Sequence, residues 1–198
     1  MMVETYDYNN VNGVSIENRN NLLIKLNNAG EQTIQVLMMN PSYSDRELVD
    51  PTTKYVISSI VDKNRELTGK GKYGYVEIFN VHPQITSDPS NLKEMEIYEY
   101  KYNLQYLYHR MVNNNRDIVF ATSDLTNSNA PIDVRHQMVK TYNILLKRVY
   151  KIQNNINLFS YGLTKNKYKY GLHKSRGNSN ALSKVDILFS NNKYHLNE

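Results

Sequence analysis

Hydrophobic residues along this chain come in short blocks, and the spacing inside the blocks changes from strand-like to helix-like and back. Residues 21–28 (NLLIKLNN) and 33–40 (TIQVLMMN) have strand length, with turn formers Asn28, Ala29 and Gly30 between them. The second run is almost unbroken in its apolar character, as a strand buried on both faces requires. Asp50 and Pro51 then supply a cap and a first-turn proline, and Val56, Ile57, Ile60 and Val61 give the following helix its apolar stripe.

The alternation continues. A glycine-punctuated loop (residues 69–75) leads into a strand at 76–80 (VEIFN). Asp88-Pro89 repeats the cap-and-proline device and predicts a second helix running to about residue 113. Residues 116–122 (RDIVFAT) read as a strand. Asn129, Ala130 and Pro131 open a third helix with Ile132, Val139, Tyr142, Leu146 and Val149 on one side, and residues 156–162 (INLFSYG) read as another strand. Strands alternating with helices predict an α/β fold, with a mostly parallel sheet between helix layers. Right-handed crossovers would bring every strand's C-terminal end to one edge, where such folds build their sites. That edge should gather Asn40-Pro41-Ser42, Asn80-Val81-His82, Thr122-Ser123-Asp124 and Gly162-Leu163-Thr164.

Composition narrows the classes. A length of 198 residues suits one domain over 1–198, with residues 1–20 as an N-terminal arm or a frayed end. No apolar run approaches the roughly 18 residues a membrane helix needs, and the N-terminus lacks a signal core, so a cytoplasmic protein without a membrane partner is expected. The absence of cysteine excludes disulfides, thiolate metal sites and cysteine nucleophiles. The five histidines show no paired-ligand spacing, so neither a metal nor a cofactor is expected. A net charge of +5 favours an acidic partner.

Two constellations carry chemistry. Asn40 and Asn80 each end an apolar strand; their amides suit water positioning or the edge of a planar base, although Asn also ends strands simply by forming turns. His82 is a candidate acid or base, or a structural loop residue, and Asp45 is a carboxylate not needed as a cap. The second constellation is a late basic loop. Lys165, Lys167, Lys169, Lys174 and Arg176 alternate with Tyr168, Tyr170 and His173, pairing cations for phosphate with aromatic faces for bases. A solvated loop without a ligand has the same composition. The glycines of residues 68–75 precede a strand and no GK[ST] follows, which rejects a triphosphate loop.

The motifs MMNPSYSDRELVDPTTKYV and GYVEIFNVHP resemble an uncharacterised domain family of phages and mobile elements, over roughly residues 34–164. More distantly, the order of features is similar to the uracil-DNA glycosylase superfamily. That resemblance implies a three-layer α/β/α sandwich around a mostly parallel sheet of about four strands. It implies Asn40 and Pro41 at the water-activating motif, Tyr43 near the aromatic that guards the pocket, and Phe79 and Asn80 at the base-reading strand end. His173, Lys174, Ser175 and Arg176 would fall in the loop that carries an electrophilic His and an apolar wedge. There Lys174 and Arg176 replace prolines, Gly177 replaces the wedge, and the Asn40 amide cannot act as a base. The resemblance therefore implies a glycosylase-like protein without excision activity, binding an acidic, DNA-mimicking inhibitor protein. An active glycosylase on uracil or another modified base, with catalytic Asn40 and His173, is the alternative. A non-catalytic module that binds single-stranded nucleic acid without reading bases is the third reading.

Overall fold

A computed structural model describes residues 20–26, 30–42, 51–68, 72–165, 169–172 and 181–198. Six strands form one sheet in the order β1-β3-β2-β4-β5-β6: β1 (Asn21–Lys25), β2 (Gln32–Met38), β3 (Tyr73–Asn80), β4 (Ile118–Phe120), β5 (Leu158–Ser160) and β6 (Ser183–Lys184). β2 pairs in parallel with β3 and β4, and β4 with β5, while β1 and β6 are antiparallel edge strands. A separate antiparallel hairpin joins β7 (Asp186–Ser190) to β8 (Lys193–Asn197).

This corrects the expected four-stranded, mostly parallel sheet: the sheet is six-stranded and mixed, and a second sheet accompanies it. The direction of β1 is the physical reason on one side. Its link to β2 is too short for a crossover, yet β1 pairs with β3 and not with β2, so it runs against its neighbour. On the other side, the chain returns after β5 to add β6, and then folds a hairpin against the third helix.

Helices cover both sheet faces. α1 (Pro51–Thr68) buries Val56, Ile57 and Ile60 against Leu22, Ile24, Ile34, Val36 and Ile78. On the opposite face, α3 (Ile132–Tyr150) lays Val134, Met138, Tyr142, Leu145 and Val149 on Leu37, Phe79, Phe120 and Leu158. Alternation along β2 explains the division, since Ile34, Val36 and Met38 face α1 while Leu37 faces α3. Ile187 and Leu196 of the hairpin join the α3 core, and Gln153 clamps the Ile187 backbone by accepting from its N–H (2.9 Å) and donating to its carbonyl (3.2 Å).

The expected second helix is shorter than its sequence suggests. Asp88 caps only a 3₁₀ turn (Pro89–Asn91), accepting from the Ser90 N–H at 2.9 Å. The chain then runs extended, and α2 begins at Ile97 and ends at Leu107, continuing as a π-turn over Tyr108–Val112. Glu94 and Glu96 thus precede the helix instead of opening it. Tertiary hydrogen bonds hold the extended piece: Lys93 N–H donates to Gln84 (2.8 Å), the Lys93 carbonyl faces the His82 ring (3.0 Å), and Gln137 binds both backbone groups of Met95 (3.0 and 2.9 Å). Such bonds outweigh the small intrinsic preference for helix.

Candidate functional site

The four parallel-paired strands end side by side, and backbone hydrogen bonds knit their exit loops. Val81 and His82 donate to Met38 and Met39 (2.9 and 2.8 Å), Thr86 donates to Pro41 (2.9 Å), and Ala121 donates to Leu37 (2.9 Å). Ser123 donates to Gly171 (2.9 Å), while Thr164 and Leu172 bond to Tyr170 and Gly162 (both 2.8 Å). Residues 162–164 and 170–172 thereby form a short antiparallel stem that leans on β4. Gly171 is required there, because a Cβ would lie 2.1 Å from the Phe120 carbonyl oxygen.

Within this edge most polar side chains are already committed. The Asn40 amide donates to the carbonyls of Thr86 (2.8 Å) and Pro41 (3.2 Å), tying the loop after β2 to the loop after β3. His82 is buried; its Nδ1 accepts from the Gln84 N–H (3.3 Å), so Nε2 carries the proton and donates to the Lys93 carbonyl (3.0 Å). Burial pushes its pKa down to about 4, against a smaller opposing effect of the Lys93 carbonyl. A neutral histidine with both nitrogens occupied is a strut. Asp124 is likewise engaged, accepting from Thr126 (2.9 and 2.5 Å) and Asn127 (3.3 and 2.9 Å) in its own turn.

Asn80 is different. It ends β3 opposite Met38, is 1% exposed, and neither its amide nitrogen nor its amide oxygen has a hydrogen-bond partner among the described residues. A buried amide left unsatisfied costs about 1–3 kcal/mol, so such a group calls for a reason. Its donor and acceptor lie side by side, the arrangement that pairs with a ligand presenting an adjacent acceptor and donor. Asn103 of α2, which sequence reasoning missed, fixes the next residue by donating to the Val81 carbonyl (2.9 Å). Its signal was present: an Asn on a helical face between Tyr100 and Leu107, both buried.

The other expected residues divide. Phe79 lies in the core 6.3 Å from the Tyr106 ring and offers no free face. Tyr170 is also core, packed 5.1 Å from the Tyr142 ring, and is not a platform for bases. Pro41 is buried and Ser42 half-buried; Lys165 is exposed, and half-buried Lys169 takes a positive φ of 46° at the stem. Tyr43, Asp45, Lys167, Tyr168, His173, Lys174, Ser175 and Arg176 lie outside the described residues. Among the described residues no group of three or more His, Asp or Glu could hold a metal ion, and no helix is long and apolar enough to cross a membrane.

The chain belongs to the family described as a protein of unknown function, DUF1643, whose model matches residues 21–168. That match spans β1 through β5 and the first arm of the stem (residues 162–164), and stops short of its return arm at residues 170–172. No curated protein and no solved structure matches the chain.

Proposed function

We propose that this chain is a binding protein that has no glycosylase chemistry, and that it presents the C-terminal edge of β2–β5 to an acidic, DNA-mimicking protein of the kind that inhibits uracil-DNA glycosylases. One observation carries the first half: Asn40 ties two exit loops together, His82 braces the Lys93 backbone and Asp124 holds its own turn, leaving none of them free to move a proton. The basic balance of the chain and the lysines at 165, 167 and 169 favour an acidic partner. A second reading rests on Asn80, whose unspent amide suits the edge of a uracil-like base, as in an active glycosylase.

Uracil excision from single- and double-stranded DNA, measured with and without an acidic inhibitor protein, separates the readings. The expected result is no excision and a stable complex with the inhibitor, weakened by reversing Lys165, Lys167 and Lys169 to Glu but not by Asn80→Ala. Excision abolished by Asn80→Ala or His173→Ala would establish the active enzyme instead. Salt-sensitive DNA affinity indifferent to Asn40 and Asn80 would point to a module that binds single-stranded DNA without reading bases.

A further inference from the structure

A cavity of about 540 Å³ opens where the extended piece before α2 meets the first turns of α3. Glu94, Glu96, Tyr100, Asp133, His136 and Lys140 line it. Its two sides are held together by Gln137, which reaches from α3 to both backbone groups of Met95. The expectation of one long helix hid this feature, because the cavity exists only where residues 92–96 run extended.

Its charge is opposite to that of the chain. Three carboxylates face Lys140 and His136, whereas the whole chain carries +5. The N-termini of α2 and α3 each add about half a positive charge, which offsets roughly one carboxylate and leaves the cavity negative by about one unit. Glu96 stands at the N-cap of α2 but makes no side-chain cap bond, so its carboxylate is not spent on the helix.

Tyr100 supplies the independent observation. It is 7% exposed, its hydroxyl is buried without a hydrogen-bond partner, and the Lys140 ammonium sits over its ring at 5.6 Å. An aromatic face with a cation above it, ringed by carboxylates, is the arrangement that recognises organic cations. Lys140 is exposed on α3 and tethered only by its flexible stem.

We propose that this cavity binds an alkylammonium or guanidinium group, whose charged head takes the place that Lys140 holds over the Tyr100 ring. With Lys140 swung outward, the ligand's N–H groups donate to Glu96 and Asp133 while its charge rests over the Tyr100 ring. A free polyamine and a Lys or Arg side chain of a peptide present the same chemistry. The site is independent of the strand edge and of any role proposed for it.

Calorimetric titration of the full chain at low salt, with spermidine in one arm and Nα-acetyl-arginine amide in the other, tests the site. Saturable one-to-one binding is expected in at least one arm, and the tighter arm identifies the source. Glu96→Gln with Asp133→Asn should weaken it about tenfold, and Lys140→Met should strengthen it about threefold by removing the internal competitor. Tyr100→Leu should weaken binding about threefold by removing the ring face, whereas Tyr100→Phe should keep both binding and melting temperature, because the lost hydroxyl has no partner in the fold. Absence of saturation at millimolar cation would overturn the proposal. So would indifference to the carboxylate substitutions, a clear fall in melting temperature for Tyr100→Phe, or preferential binding of inorganic phosphate.

Discussion

Glu77 and Asn80 lie three residues apart on β3, equally shut from solvent, and the fold treats them in opposite ways. The Glu77 carboxylate receives Arg110 (2.5 Å), Arg116 (2.8 Å), Asn21 (2.9 Å) and Gln35 (3.4 Å), brought from the π-turn, the lead-in to β4, β1 and β2. Among the described residues, none hydrogen-bonds the Asn80 amide. A buried charge without a partner is beyond what a domain of ordinary stability tolerates, whereas an unpaired neutral amide costs about 1–3 kcal/mol out of about 5–15. The satisfied end of the strand is therefore structural. The unsatisfied end is where a ligand is worth seeking.

Removing both arginines should give the largest effect. Arg110→Ala with Arg116→Ala leaves Glu77 buried with only neutral partners, and urea unfolding should report a loss of about 3–5 kcal/mol. Adding Glu77→Gln should restore part of it; failure to do so would show that the arginines act through packing instead of charge.

His82 sharpens the contrast from the same strand edge. Its folded pKa of about 4 lies below the ordinary 6.5, so between these values the unfolded chain takes up a proton that the folded chain refuses. Stability from this group is complete above about pH 6.5 and declines as pH falls towards 4, by about 3 kcal/mol in all. Unfolding curves across that window should show the slope, and His82→Gln should flatten it while lowering stability at pH 7. An unchanged slope would mean that His82 is hydrated and free for chemistry.

Asn80→Leu should have the smallest effect, and in the opposite direction. With no hydrogen bond to lose, the substitution should raise stability by about 1 kcal/mol, or about 2–4 °C in melting temperature. A loss of more than 1 kcal/mol would show that the amide has a partner in the fold and end the comparison.

Much of the edge was legible. The apolar runs located β2, β3, β4 and β5, and alternation with helices brought Asn40, Asn80, Thr122 and Gly162 towards one side. The hairpin was less so, although its sequence carries a signal: Asn191 and Asn192, both with positive φ (49° and 59°), form a two-residue turn between apolar stretches. The interruption before α2 was not legible, since Gln84 and Gln137, distant in sequence, hold it open. Glu77 within VEIFN likewise gives no hint that two arginines more than thirty residues away complete it.

The sequence by itself located β2 to β5, α1 and α3, because periodicity, proline and capping residues act within a few positions. It also determined the chemical types available at each strand end. Only the tertiary structure decided which of those groups are spent. Asn40 and Asn80 are the same residue in the same local setting, yet among the described residues one has a carbonyl 46 positions away to hold and the other has none. Hydrogen-bond satisfaction depends on what the rest of the chain brings within about 3 Å, and local sequence does not encode that.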